Sequence, residues 1–203
     1  MPDFNETSSL LVSTANSLHA RGWLLGTSGN LSAVVDRNPL RLAITPSGAD
    51  KGELEVDQIL LVDENCKIIN EKEGKPSDES PLHVRVVKAR NAGSVLHTHS
   101  VWSTVLSQRH FNNGGLFIEG YEMLKGLRGV TTHQHREWIP IIENSQDMPM
   151  LAETLNEVLS KHPDAHAVLL DRHGLYTWGQ DLKEARRHVE ILEFLFEAVG
   201  RCE

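Results

Sequence analysis

Hydrophobic residues recur along the chain either at the three- to four-residue spacing of a helix or in short strand-like runs. The helical spacing predicts five helices. These helices cover residues 7–21, 80–91, 101–108 and 147–160, together with a C-terminal segment that begins at Asp181. Gly22 follows the first segment, at a position where glycine commonly ends a helix. Glu184 follows Asp181 by three residues, which resembles a capping box and favours a helix start at this point.

Short apolar runs between turn residues predict the strands. The runs are residues 31–35, 40–44, 59–62, 67–69, 94–98, 139–143, 167–170 and 175–178. Where two runs are joined by a short polar turn, as on either side of residues 171–174, we expect a hairpin. The mixture of helices and hairpins predicts a layered α/β domain with a mixed, largely antiparallel sheet. Because the chain has no internal repeat or linker-like tract, we expect a single domain over residues 1–203.

The chain is acidic, with a formal net charge of −8 at pH 7. This charge argues against nonspecific binding to nucleic acids or membranes, because both are anionic. An anionic small-molecule substrate would need a local positive site. Two cysteines, Cys66 and Cys202, are too few for a disulfide framework, and the N-terminal residues lack the features of a signal peptide. We therefore expect a cytoplasmic protein.

Three histidines at strand ends are candidate metal ligands. His97 and His99 follow the apolar residues of the predicted strand 94–98, and alternation along a strand points both imidazoles to one face. Zinc bound by histidine at about 2.0–2.1 Å can accept two ligands at this spacing. A catalytic zinc site needs a third protein ligand, and His173, in the turn after strand 167–170, is the candidate. Iron, manganese or cobalt could occupy a similar set of histidines.

A second pair of histidines has the same spacing but a different context. His133 and His135 lie in the polar stretch 131–137, which has no apolar residues leading into it, so we interpret the stretch as an exposed loop. A rigid strand end holds a metal better than a mobile loop. The remaining histidines are on predicted helices or turns and are assigned no chemistry: His19, His83, His110, His162, His166 and His188.

Five motifs occur in the order found in the class II aldolase superfamily. They are Gly-Thr-Ser-Gly-Asn-Leu-Ser at 26–32, Thr-Pro-Ser-Gly at 45–48, Pro-Ser-Asp-Glu at 76–79 with His83, His97-Thr98-His99, and His173-Gly174. The chain resembles this superfamily, which includes fuculose- and rhamnulose-phosphate aldolases and ribulose-5-phosphate 4-epimerase. The resemblance implies a three-layer α/β/α sandwich, one Zn²⁺ per subunit, a phosphorylated ketose substrate, and a homotetramer with active sites near the subunit interfaces.

Three further runs are similar to the dehydratase branch of this superfamily, namely residues 122–126, 140–144 and 173–179. This similarity implies a lyase of methionine salvage that removes water from a 5-methylthio-substituted ribulose 1-phosphate and leaves a 2,3-diketone phosphate. Two alternatives remain open. One is a sugar-phosphate aldolase or 4-epimerase on the same scaffold. The other is a non-enzymatic scaffold like the aldolase-like head of adducin, in which we would expect other residues in place of the metal-binding histidines.

The glycine-containing motifs are candidates for binding the substrate phosphate. The residues concerned are Thr27, Ser28, Gly29, Asn30, Ser47 and Gly48, and Lys51 could add positive charge. Backbone N–H groups gathered in such loops can bind anions. The same residues also form ordinary turns. It is the order of the motifs within the superfamily that favours phosphate binding.

Two glutamates are candidates for proton transfer. The resemblance places Glu79 where the aldolases have their acid–base residue and Glu122 where the dehydratases have theirs. Expelling a hydroxyl group as water requires a proton donor, which a positioned carboxylic acid can supply. We take Glu122 as the principal acid–base residue and give Glu79 a supporting or alternative role. Either residue could instead be a solvated helix carboxylate.

Overall fold

A single eight-stranded sheet forms the centre of the computed structural model, which describes residues 3–202. The strands are β1 (Asn30–Arg37), β2 (Leu40–Ile44), β3 (Leu60–Asp63), β4 (Ser94–Thr98), β5 (Gly115–Glu119), β6 (Arg136–Ile142), β7 (Ala167–Leu170) and β8 (Gly174–Gly179). Their order across the sheet is β3-β2-β1-β4-β8-β7-β6-β5. Only β6 and β7 pair in parallel, and the other neighbours are antiparallel. The mixed, largely antiparallel sheet is therefore confirmed.

Helices cover both faces of the sheet. They are α1 (Phe4–Ala20), α2 (Ser80–Arg90), α3 (Val101–His110), α4 (Met148–Lys161) and α5 (Leu182–Cys202). Apolar residues of α2 and α4 share one core cluster with one face of the sheet. Residues of α1, α3 and α5 pack with the other face in two further clusters. This arrangement is the expected three-layer α/β/α sandwich. None of the helices in residues 3–202 is long and apolar enough to cross a membrane.

Three local expectations differ from the structure. Residues 67–69 do not form a strand but make a single bridge from Ile68 to Val62, because Asp63 accepts backbone hydrogen bonds that close a turn here. Strand β5 has no predicted counterpart. Strand β6 begins at Arg136, so the predicted loop 131–137 ends inside a strand, and Glu137 is buried rather than exposed.

The start of α5 was predicted correctly, within a residue. The Asp181 carboxylate accepts a hydrogen bond of 2.8 Å from the backbone N–H of Glu184. The Glu184 carboxylate accepts one of the same length from the N–H of Gln180. These two bonds satisfy donors that the first helical turn leaves without partners, a stabilisation typically worth about 1 kcal/mol.

Strand direction divides the sheet into two edges. Strands β4, β6 and β7 run in the same direction, so their last residues lie at one edge, here called the C-terminal edge. Strand β5 is antiparallel to β6, and Glu119 at its end pairs with Arg136 at the beginning of β6. The residues that follow β5 therefore leave the sheet at the opposite edge.

Candidate active site

Three histidines meet at the C-terminal edge. His97 and His99 come from the end of β4, and His173 comes from the turn between β7 and β8. The Nε2 atom of His99 lies 2.8 Å from that of His97 and 3.1 Å from that of His173. The Nε2 atoms of His97 and His173 are 3.3 Å apart. Three side chains separated by up to 76 residues thus direct the same ring nitrogen to one point.

Hydrogen bonds at the far side of two rings fix which nitrogen carries the proton. The Nδ1–H of His97 donates to the Leu175 carbonyl at 3.0 Å, and the Nδ1–H of His173 donates to Asn144 Oδ1 at 3.2 Å. Each bond leaves Nε2 with a free lone pair directed at the common point. Metal-binding histidines are usually oriented by such partners.

The electrostatic environment keeps the three imidazoles neutral. Burial, reinforced by the neighbouring histidines, holds the pKa of His97 well below its usual range. Burial lowers the pKa of His99 to about 4, and it also lowers that of His173, where Glu79 opposes the shift. A metal ligand must be a neutral imidazole. The site therefore needs no deprotonation to accept a metal near pH 7.

The spacing and chemistry of the three nitrogens fit a divalent metal. Ligands about 2.0–2.1 Å from a tetrahedral zinc ion are about 3.3 Å from one another. The separations here are 2.8, 3.1 and 3.3 Å, so a small outward movement of His99 would complete the fit. Within residues 3–202, this is the cluster of three or more potential ligands compact enough to hold a metal ion.

Glu79 lies beside the three histidines. It precedes α2, and its carboxylate oxygens are 3.5 Å from His97 Nε2 and 3.4 Å from His173 Nε2. The side chain is only 16% exposed. The Asn30 amide holds it in place with a hydrogen bond of 2.7 Å to Oε2. One carboxylate is thus positioned to exchange protons with a molecule bound at the histidines.

A buried network supports Glu79. Asn30 bonds to Glu79 through its amide nitrogen, and its amide oxygen accepts a hydrogen bond from His83 Nε2. His83 Nδ1 is 2.7 Å from the hydroxyl of Ser32. Burial lowers the pKa of His83 to about 3, so this ring stays neutral. Asn30 was expected at the phosphate, but its 4% exposed side chain is engaged with Glu79 and His83.

Two glycine-containing loops lie next to the histidines. Gly26, Thr27, Gly29 and Gly48 all have positive φ values, between 62° and 73°. Left-handed residues that alternate with right-handed ones in a turn can direct backbone N–H groups toward one side of a loop. A Cβ atom at Gly29 would lie 2.6 Å from the His97 carbonyl oxygen, so the loop can approach the metal ligands only with glycine there.

Lys51 connects the two loops through hydrogen bonds. Its ammonium group donates hydrogen bonds to the Thr27 carbonyl at 3.1 Å and to the Ala49 carbonyl at 2.8 Å. The side chain is 1% exposed. Burial lowers its pKa, and the charge of Asp50 opposes that effect. Lys51 also lowers the pKa of His99, which places its positive charge close to the histidine cluster.

Glu122 lies apart from this cluster. It opens the 3₁₀ helix Glu122–Gly126, which follows β5 and so belongs to the opposite edge of the sheet. Its side chain is 68% exposed and forms an ion pair with Lys125. His133 Nδ1 is 3.7 Å from the same carboxylate. The hydrogen bond from Lys125 lowers the pKa of Glu122.

The segment that carries Glu122 is anchored by two histidines that had no predicted role, His166 and His188. The backbone N–H of Arg128 donates to His188 Nε2 at 3.1 Å, and its carbonyl accepts from His166 Nε2 at 2.8 Å. His166 Nδ1 also donates to the buried Glu137 carboxylate at 3.0 Å. Both ring nitrogens of His166 face acceptors, an arrangement that favours the protonated ring. Burial alone would lower its pKa, but Glu137 raises it.

Three supporting residues were not identified from the sequence, and a fourth, Lys51, was named there only as a source of positive charge. Asn144 orients His173, Lys51 joins the two loops, and Glu193 contacts Thr98 between two of the histidines. Tyr176 stacks on His97, with ring centroids 4.0 Å apart and planes 14° apart. Asn144, Tyr176 and Glu193 come from elements far along the chain from the groups they touch. Only Lys51, four residues after Ser47, had a nearby sequence signal.

Comparison with known sequences supports this description. Residues 9–199 match the family model described as Class II Aldolase and Adducin N-terminal domain. The chain is 40% identical over 200 residues to a methylthioribulose-1-phosphate dehydratase of Methylococcus capsulatus, covering 98% of this chain and 95% of the relative. It is 43% identical over 195 residues to a protein of the same name from Pectobacterium atrosepticum, covering 95% and 93%.

Solved structures show the same architecture. A putative aldolase/epimerase/decarboxylase from Klebsiella pneumoniae superposes with a TM-score of 0.83 at 25% identity, covering 99% of this chain and 91% of that protein. The L-fuculose-1-phosphate aldolase of Thermus thermophilus gives a TM-score of 0.76 at 22% identity, covering 97% and 94%. At that identity, the second likeness concerns the fold alone.

Proposed function

The chain belongs to the class II aldolase and adducin family, and we propose that it is a zinc-dependent lyase that dehydrates 5-methylthioribulose 1-phosphate to 2,3-diketo-5-methylthiopentyl 1-phosphate. The single observation that carries this proposal is the meeting of His97, His99 and His173 beside Glu79 and the glycine-containing loops. The names of the relatives select dehydration among the reactions that such a site can perform. The reaction belongs to methionine salvage.

The three histidines would hold one metal ion per chain through their Nε2 atoms. A bound divalent ion would supply a Lewis acid that stabilises negative charge on the substrate oxygens. Zinc suits three imidazole ligands with one coordination position open to substrate. The chain itself contributes neutral, pre-oriented rings, which Leu175 and Asn144 hold in the required tautomer.

The substrate phosphate would bind in the loops formed by Thr27, Ser28 and Gly29 and by Ser47 and Gly48. The positive charge of Lys51 lies beneath both loops and offsets the repulsion expected from an acidic protein. A phosphate held here would place the carbon chain of the ketose over the histidines. Asn30 would act by orienting Glu79 rather than by binding the phosphate through its side chain.

Two carboxyl groups divide the proton transfers in this proposal. Glu79 lies within reach of the histidine cluster and is assigned removal of the proton from C3. The electron pair released at C3 expels the C4 hydroxyl group, which leaves as water with a proton from a general acid. We assign that acid role to Glu122. Protonation of the resulting enol at C4 completes the 2,3-diketone.

Glu122 can take this role only on the site of another chain. It lies at the opposite edge of the sheet from the histidines and is exposed. In a homotetramer, the edge that carries Glu122 would face the histidine edge of a neighbouring chain. This arrangement would bring together the two carboxylates that the single chain keeps apart.

The test is the identity of the product. Purified protein with zinc and 5-methylthioribulose 1-phosphate should yield a phosphorylated product lighter by one water molecule. In deuterated water, one deuterium should appear at C4. Accumulation of dihydroxyacetone phosphate would instead show cleavage of the C3–C4 bond and assign the chain to the aldolases. An unchanged substrate mass with inverted configuration at C4 would assign it to the epimerases.

A further inference from the structure

One buried carboxyl group next to the histidines has no part in the chemistry above. Glu193, in the middle of α5, is 3% exposed although it is an acidic residue. It accepts a hydrogen bond of 3.2 Å from the Thr98 hydroxyl and another from the Ser100 hydroxyl. Thr98 lies between His97 and His99, and Ser100 follows them. The carboxyl group of Glu193 thus holds both sides of the segment that carries His99.

The burial of Glu193 lowers the stability of the fold, which suggests that the residue is kept for a function. Burying a carboxyl group costs free energy even when hydroxyl groups satisfy it, and an apolar residue would pack here at lower cost. Its neighbours along the helix, Leu192, Leu195 and Phe196, are fully buried core residues. Unlike those residues, Glu193 contacts two hydroxyl groups, those of Thr98 and Ser100.

The same segment is connected to the third histidine through α3. Ser100 caps this helix by accepting a hydrogen bond of 3.0 Å from the N–H of Ser103. The Thr104 hydroxyl lies 2.9 Å from the Ser100 carbonyl and 3.2 Å from the His173 carbonyl, so it bridges the two turns that carry the histidines. A displacement of residues 98–100 would therefore be transmitted to His173 as well.

We propose that Glu193 is a positioning residue for the metal centre, which fixes His97 and His99 by accepting hydrogen bonds from Thr98 and Ser100. This inference rests on the proposed metal site. It adds that the affinity and geometry of the site depend on a carboxyl group that contacts neither metal nor substrate. Burial raises the pKa of Glu193 to about 7, against the effect of the two hydroxyls, so either protonation state is accessible near neutral pH and both can accept these bonds.

The test measures metal binding rather than turnover. Metal-free wild type and Glu193→Ala are titrated with Zn²⁺ against a chromophoric chelator, and Co²⁺ absorption reports the coordination geometry. We expect Glu193→Ala to bind zinc 10- to 100-fold more weakly, the usual effect of losing a partner that orients metal ligands, and to alter the cobalt spectrum. Glu193→Gln, which keeps an acceptor oxygen, should recover most of the affinity. Glu197→Gln is the matched control, one turn along α5, exposed and paired with Arg201.

Each outcome decides the inference. Zinc affinity of Glu193→Ala within twofold of wild type, with a normal cobalt spectrum, would overturn it even if the variant melts at a lower temperature. If Glu193→Ala does not fold, Thr98→Val removes the other side of the same hydrogen bond and must weaken zinc binding. An unchanged affinity in Thr98→Val would then overturn the inference. Stoichiometric zinc in His99→Ala would contradict the proposed site itself, which separates the two failures.

Discussion

The amide nitrogen of Asn30 donates a hydrogen bond of 2.7 Å to Glu79 Oε2, while its amide oxygen accepts from the neutral, buried ring of His83. This contact gives Asn30 a catalytic consequence distinct from phosphate binding. We expect Asn30→Ala to lower kcat by roughly 10-fold or more, because a mispositioned acid–base group loses part of a contribution that is typically 10²–10⁴-fold. Steady-state kinetics will show this. A change in KM alone would return Asn30 to the phosphate site.

Removal of any one histidine of the cluster should reduce zinc content and activity together. We expect His97→Ala, His99→Ala and His173→Ala each to purify with well under one zinc per chain, measured by elemental analysis. His133→Ala is the control and should retain full zinc, because His133 is exposed and interacts with Glu122 instead. Full occupancy in His173→Ala would remove that residue from the site.

The opposite positions of Glu79 and Glu122 lead to a complementation experiment. Glu122→Gln and His97→Ala should each be inactive alone, with Glu122→Gln retaining zinc. Coexpressed with separate affinity tags, the two chains should form mixed oligomers that regain part of the wild-type activity. One site in such an oligomer combines the intact histidines of the Glu122→Gln chain with the intact Glu122 of the His97→Ala chain. Glu79→Gln mixed with His97→Ala should regain nothing, because those defects lie in one chain's site. Equal recovery in both mixtures would contradict the shared site.

Lys51 should matter for substrates that carry a phosphate. We expect Lys51→Met, which keeps much of the side-chain volume, to raise KM for the phosphorylated ketose by at least 10-fold, since a hydrogen bond or contact to a charged group is typically worth about 1.5–3 kcal/mol. Ser28→Ala and Ser47→Ala should raise KM more modestly. Zinc content should stay near one per chain in all three. An unchanged KM in every variant would contradict phosphate binding in these loops.

Glu193 should make stability depend on pH in a defined direction. Its pKa in the folded chain is about 7, above the ordinary value of 4.5. Between these values the unfolded chain is ionised while the folded chain keeps its proton, so the free energy of unfolding falls as pH rises from about 4.5 to 7. The loss approaches about 3 kcal/mol, at 1.36 kcal/mol per pKa unit. In denaturation of metal-free wild type and Glu193→Gln across this range, the stability of the wild type relative to the variant should fall by this amount, because the buried histidines titrate in both proteins.

The sequence was sufficient to predict most of the elements and to select the three histidines that the structure brings together. His97 and His99 follow a short apolar strand, and the strand alternation that places both rings on one face is local. His173 was selected from its position after the apolar run 167–170, and the order of the superfamily motifs supported it, but its approach to the other two depends on the pairing of β4 with β8. The residues that orient these rings could not be deduced, since a contact such as that of Asn144 with His173 arises only when β6 and β7 pair in parallel.

The position of Glu122 shows how one missed strand limits a prediction about function. Strand β5 begins at a glycine and has alternating buried and exposed residues over only five positions, so its apolar signal is short. Without β5, nothing in the sequence indicates the direction in which the chain runs before Glu122. The motif correctly marked the segment as similar to the dehydratases, but only the antiparallel pairing of β5 with β6 placed it at the edge away from the histidines.

The separation of His99 and His173 by 74 residues also determines when the proposed metal site can form during synthesis. His173 leaves the ribosome after most of the chain, and it reaches the other two histidines only when β8 has paired with β4. A nascent chain that carries only His97 and His99 offers two ligands on an unpaired strand. Metal loading of the proposed site would therefore be a late event, and an ion held by all three histidines would report that β8 has paired with β4.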